Sequence, residues 1–166
     1  RFLLKIDVGY AGLEDLMEII DRTTGAENPV ANAIVDGHRI SEMQELVRSV
    51  VVAPHVKQYA ARLVLATHPE TDTAAGGPNG PTNRYVRCGV SPRGAQALIL
   101  AGKVRALVDG RFHVSYEDIK DVALSCLRHR VLLNFEAEAD RVNADDLVAE
   151  ILKLTPTQPT AMVGAG

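Results

Sequence analysis

Tryptophan is absent from the 166 residues, and all aromatics together reach only 4%. A core built on large rings is therefore excluded. Leu, Val, Ile and Ala must fill it, which suits packed helices. Cysteine occurs twice, at Cys88 and Cys126, without CxxC spacing. That spacing gives no sign of a CxxC redox or zinc motif. With no export signal in view, both are expected to be free thiols in a reducing, cytoplasmic setting. No apolar run approaches the roughly 20 residues a membrane-spanning helix needs. The formal charge of −3 supplies no general basic field for nucleic acid. The five histidines, at 38, 55, 68, 113 and 129, show neither H-x-x-x-H nor H-E-x-x-H spacing, so no metal site is expected. There is no G-x-x-x-x-G-K-[ST] loop, because Gly102-Lys103 runs on into Val104 within a helical pattern. No apolar strand ends in paired acids to hold Mg²⁺, and no Ser or Cys stands in a nucleophile motif such as G-x-S-x-G. Alone, these residues hold no complete active site.

What is present is ordinary for a globular chain, at 46% apolar and 23% charged residues. The opening "RFLLKIDVGY" has no signal-peptide character, lacks Met and starts inside an apolar run, so a piece of a longer chain is expected. "RFLLKIDV" (1–8) reads as a strand whose partners are missing, since a lone strand leaves its backbone groups unpaired. Leu13, Leu16, Met17 and Ile20 then place an amphipathic helix over about 12–24. Residues 25–38 read as a linker. "SEMQ" (41–44) fits a capping box that starts a helix at Ser41, with Met43, Leu46, Val47 and Val50 as its apolar stripe. Pro54 opens another helix, with Val56, Tyr59, Ala60, Leu63 and Val64 on one face.

Residues 67–89, rich in Gly and Pro, read as a long loop with an extended piece at "RYVRC". A helix follows over about 92–108, with Ala97, Leu100, Ala101, Val104, Leu107 and Val108 as its stripe, widened by Leu98 and Ile99. "DGRFHV" is a turn and a short extended piece. Ser115 caps the next helix, to about 129, with Ile119, Val122, Ala123 and Cys126 facing inward, and "NADD" (143–146) caps a last one through about 153. The end, 156–166, reads as a disordered tail. The fold class is mainly α: a strand and helix, then a bundle of about five helices.

The sharpest residue is Arg93. Ser91 can cap its helix and Pro92 can be the first helical residue. Helix starts usually favour acids, because free N–H groups there carry partial positive charge. An arginine in that turn suits an anion such as phosphate, or it is simply a surface cation on a solvated turn. "LRHR" (127–130) puts cations at a helix C-terminus, where they serve as caps, interhelix partners or contacts to a neighbouring subunit. "RYVR" (84–87) is a solvated basic loop or a phosphate contact. Glu117 and Asp118 serve a helix start, and "EAEAD" (136–140) is an acidic face.

The run from "GVSPRG" (89–94) through "GRFHVSYEDI" (110–119) to "LRHR" closely resembles the lid domain of MoxR-family AAA+ ATPases. The family pattern is G-A-S-P-R-A, then G-R-x-[YF]-V-x-x-E-D-[VI], then L-R-H-R. "FEAEA" and "NADDLVAEIL" continue the likeness, and "RFLLKI" resembles the family's L-D-R-F-L-x-x-I. Val90 and Gly94 depart from it, each standing where Ala is usual. The resemblance implies a helical AAA+ lid over 37–155, preceded by the end of the α/β ATPase core over 1–36. It implies that Arg93 is the sensor-2 arginine, with Ser91 and Pro92 beside it at the ATP phosphates, and that Arg1 is an arginine finger or else a charged residue at a strand edge. ATP and Mg²⁺ are implied as cofactors of a longer parent. A homo-oligomeric ring, expected to be hexameric, von Willebrand factor A domain partners and client proteins to remodel are implied as well. The competing reading is a non-enzymatic, winged-helix-like module that binds protein or DNA. Against DNA, the 92–108 helix carries only Arg93, Lys103 and Arg105, and Asp109 follows it.

Overall fold

A computed structural model describes residues 2–26 and 30–158. Its helices are α1 (Leu13–Thr24), α2 (Gly37–Ser49), α3 (Pro54–Ala66), α4 (Pro81–Tyr85), α5 (Pro92–Val108), α6 (Tyr116–Leu127), α7 (Phe135–Ala139) and α8 (Ala144–Leu154). Two short strands, β1 (Val86–Cys88) and β2 (Leu132–Leu133), pair antiparallel. The mainly helical class is as expected. The chain divides into two compact units, Ile6–Gln44 and the remainder.

In the smaller unit, α1 forms where its 3.6-residue periodicity places it. No residue of α1 is buried, and Leu13, Leu16, Met17 and Ile20 are all exposed. The expected strand over 1–8 does not form over the described residues 2–8, which find no strand partner among the described residues. α2 begins at Gly37 rather than at the Ser41 box. Asp36 takes the capping role, accepting from Arg39 N at 2.8 Å, while the Ser41 hydroxyl donates back to Gly37 O. An aspartate accepts from the free N–H groups one turn earlier than the sequence box would.

The larger unit holds the core. Val56, Tyr59 and Leu63 of α3 meet Leu98 of α5, Ile119 and Leu127 of α6, and Leu147 and Ile151 of α8, all essentially fully buried. α5 packs most extensively against α6. Small residues of α5 are buried, namely Gly94, Ala97, Ala101, Gly102 and Ala106, and α6 comes so close that a Cβ at Gly102 would stand 3.0 Å from Ile119 Cδ1. This corrects the expected stripe. Ala97 and Ala101 do face inward, but Leu100, Val104 and Val108 are exposed. Apolar periodicity places a face without telling which side of a nearly all-apolar helix lets another helix come closest.

The corner between α5 and α6 explains the G-R-x-x-V-x-x-E-D pattern. Gly110 adopts φ +73° just past the helix end. Its N–H bonds Leu107 O at 2.9 Å, and Arg111 N bonds Ala106 O at 2.8 Å, the two bonds of a Schellman cap. Val114 turns into the core, and its N–H bonds Val51 O at 3.1 Å in a parallel bridge beside His113. The Ser115 cap is as expected, with Asp118 returning the bond to Ser115 N at 2.7 Å.

Residues 67–89 are more ordered than a loop. They contain α4 and a 3₁₀ turn, with Thr82 fully buried and its hydroxyl donating to Ala66 O at 2.7 Å. Ala75 N donates to the same carbonyl at 3.0 Å, so this segment satisfies the free C-terminal end of α3. In the expected extended stretch "RYVRC", Arg84 and Tyr85 belong to α4 and only Val86–Cys88 is strand. Helices α4 and α7, five residues each, are too short to leave a periodic signal. Arg84 bonds Glu136 and Asp140 at 2.7 Å each, so one arginine of "RYVR" pairs with the "EAEAD" face at the surface, where both stretches stay solvated.

Both cysteines are free, Cys88 exposed and Cys126 buried. Burial pushes the Cys126 thiol up to about 11. Iodoacetamide at about pH 8 should therefore label one thiol per native chain and two in denaturant, because the thiolate is the reacting form. Two fast-reacting thiols in the native chain would contradict the packing of α6.

Candidate functional site

Arg93 stands in the first turn of α5, as its Ser-Pro-Arg sequence requires. Ser91 occupies the N-cap position with extended backbone (φ −66°, ψ 166°), and Pro92 is the first helical residue. The Ser91 hydroxyl, however, makes no capping bond, contrary to expectation. Gly94 N is satisfied by the Ser91 carbonyl at 2.8 Å instead. Among the described residues, the Arg93 guanidinium has neither an ion-pair nor a hydrogen-bond partner.

Arg93 and Ser91 line an open groove of about 540 Å³. Gln96 and Leu100, on the next turns of α5, continue the same wall, and His129, Arg130 and Leu132 lie on another. Among the described residues, no Asp or Glu lines the groove. An electropositive, half-apolar cleft with a free guanidinium at a helix start suits an anion attached to an apolar or aromatic body.

Arg130 is placed differently from Arg93. Its guanidinium donates to Phe2 O at 2.6 Å, to Leu3 O at 3.1 Å and to Cys126 O. His129 Nε2 reaches Phe2 O at 3.3 Å, and Lys5 N donates to Ser125 O at 2.9 Å. The end of α6 thus grips residues 2–5. Burial holds the His129 imidazole below its usual range, and Arg130 and Lys5 push the same way, against the opposing bond to Phe2 O. Arg128 turns to α8, bonding Asp145 at 2.7 Å. The LRHR run is therefore used within the chain, as caps and interhelix partners. Arg1, the other expected site residue, lies outside the described residues.

Among the described residues, no group of three or more His, Cys, Asp or Glu side chains could hold an ion. Nor is any described helix long and apolar enough to cross a membrane.

Two residues that bond the chain just ahead of Ser91 carry no signal in the sequence. Thr67 and His68, at the end of α3, hold the backbone of Val90 just ahead of Ser91. Nothing in a T-H dipeptide within a Gly/Pro-rich stretch signals such a contact across about twenty residues.

Comparison with known proteins agrees with the helical architecture. Residues 82–151 match the AAA lid domain family. The chain is 33% identical over 153 residues to Chaperone MoxR1 of Mycobacterium tuberculosis, covering 92% of this chain and 39% of the relative. It is 29% identical over 129 residues to Protein MoxR of Methylorubrum extorquens, covering 76% of this chain and 38% of that protein. The crystal structure of a proposed ATPase from Cytophaga hutchinsonii superposes with a TM-score of 0.83 at 29% identity, over 94% of this chain and 46% of the other. The chain thus spans less than half the length of the relatives it matches. It belongs to the MoxR-type AAA+ proteins, and residues 82–151 form their AAA lid domain.

Proposed function

We propose that this chain is the lid-bearing part of an ATPase, in which Arg93 senses the terminal phosphates of ATP. The observation that carries this reading is the Arg93 guanidinium at the start of α5, without a partner or a neighbouring acid in its groove among the described residues. The residues fit the anion. Arg93 would hold a phosphate oxygen, with Ser91 Oγ and the first turn of α5 beside it and Pro92 fixing where that turn begins. The groove's apolar side would take the rest of the nucleotide. When bound, ATP supplies the phosphoryl bond whose cleavage drives the cycle. Arg93 orients that end and stabilises its charge with a permanently charged planar fork. The described residues do not fit Mg²⁺, so its ligands belong to another part of the parent protein.

In the same reading, 1–36 closes the ATPase core and 37–155 is the lid. The unburied apolar stripe of α1 supports the first assignment, because such a face needs a partner surface. Arg1 would be the finger towards a neighbouring subunit of a ring, expected to be a hexamer. The ATP cycle would swing the lid and remodel client proteins in the cytoplasm, with von Willebrand factor A domain partners. A DNA-binding reading finds little support on α5. Lys103 Nζ is bonded to Arg48 O at 2.8 Å, and Arg105 lies 3.5 Å from Asp121 and 3.7 Å from Asp109.

The test is ATP turnover and ATP binding by the full-length protein. Arg93→Ala should lower turnover by about tenfold or more, with the helical circular dichroism unchanged. Turnover equal to wild type would make Arg93 a surface cation.

A further inference from the structure

We infer that Thr67 and His68 are positioning residues for Arg93, acting through a clasp on Val90. This rests on the sensor reading of Arg93 given above.

The Thr67 hydroxyl is fully buried and committed on both sides. It donates to Val64 O at 2.6 Å and accepts from Val90 N at 2.9 Å. The His68 ring nitrogen Nε2 stands 2.9 Å from Val90 O. Both backbone groups of Val90 are therefore tied to the end of α3. The neighbouring backbones come close as well. A Cβ on Gly89 would stand 2.7 Å from Thr67 O and 2.8 Å from His68 Cγ. The Val90 side chain is itself fully buried.

Few free torsions separate this clasp from the sensor. Ser91 is extended, and the Pro92 ring fixes its own φ. The direction of the first turn of α5, and with it the origin of the Arg93 side chain, follows from where Val90 is held. A misplacement of about 1 Å at a charge-stabilising group is enough to lose much of its effect. α3, which nowhere lines the groove, thereby sets its geometry.

The test uses ATP turnover by the full-length protein with five sequences: wild type, Arg93→Ala, Thr67→Val, Thr67→Ser and Thr67→Val/Arg93→Ala. Thr67→Val keeps the shape and removes both hydroxyl bonds. It should lower kcat about fivefold or more while leaving the KM for ATP within about twofold. Thr67→Ser, which keeps the hydroxyl, should recover most of the loss. The double variant should turn over no more slowly than Arg93→Ala alone, because the clasp acts through that arginine. Wild-type turnover in Thr67→Val, no recovery in Thr67→Ser, or a double variant slower by the full Thr67→Val factor would each overturn the clasp. Should Thr67→Val fail to fold, the half-buried His68 carries the test. His68→Leu should lose turnover, and His68→Gln, whose amide N–H can reach Val90 O, should keep it; equal turnover in the two would overturn the proposal. Failure of the sensor reading shows separately, as an unchanged Arg93→Ala.

Discussion

Asp118→Ala is expected to destabilise the chain by about 3 kcal/mol, the range for breaking a buried ion pair and removing a helix cap together. Only 2% of the Asp118 side chain is exposed. It accepts a bidentate pair from Arg111, at 2.6 and 2.8 Å, and closes the Ser115 capping box through two further bonds. Removing the carboxylate leaves the Arg111 guanidinium without its main partner and Ser115 N without an acceptor. It does so at the corner that sets α5 against α6. Urea denaturation at neutral pH measures the effect. A loss under about 1 kcal/mol would mean that water and Asp109 replace the interaction.

The same carboxylate predicts a pH signature. Hydrogen bonds from Arg111, seconded by Ser115 N and Oγ and opposed by burial, hold Asp118 down to about 2 from 3.8. Its folded pKa lies below its unfolded one, so its contribution is complete above the unfolded value. That contribution is lost as pH falls through the folded pKa. Wild-type stability should therefore drop between about pH 4 and pH 2. In Asp118→Asn the drop over that window should be smaller. Parallel urea midpoints in the two proteins would remove Asp118 from the acid response.

Gly94→Ala is expected to destabilise, although alanine in a helix usually gains up to about 1 kcal/mol over glycine. A Cβ at Gly94 would overlap Val90 Cγ1. Val90 cannot step aside, being fully buried, β-branched and held at both backbone groups by Thr67 and His68. Overpacking of this kind costs about 1–3 kcal/mol, which outweighs the propensity gain. Val90→Ala alone leaves a void and costs about 2 kcal/mol. The double variant Val90→Ala/Gly94→Ala should be more stable than the sum of the single effects by at least about 1 kcal/mol. Simple additivity in a thermal or urea double-mutant cycle would sink this. The coupling gives one physical account of both departures from the family pattern. A larger residue at 90 and a smaller one at 94 fill one space.

Much of this protein was legible before any fold was known. Periodicity and local start signals such as Pro54, Pro92, Ser115 or Asn143 placed the starts of α1, α3, α5, α6 and α8 within a residue or two, because each signal is written in neighbouring residues. The Ser-Pro-Arg start, the Gly-Arg turn and the Leu-Arg-His-Arg end also marked the AAA lid by sequence alone. These are local features, and local chemistry fixes them. Which face of α5 is buried was decided only in three dimensions, because Leu100 and Leu98 look alike in sequence and only the approach of α6 separates them. The same holds for α4, for the pairing of Arg84 with Glu136 and Asp140, and for the grip of Arg130 on the carbonyls of Phe2 and Leu3. Each of these joins residues that lie far apart along the chain. The clasp of Thr67 and His68 on Val90 belongs there too: a hydroxyl and an imidazole become positioning groups only when the fold brings a backbone within 3 Å of them.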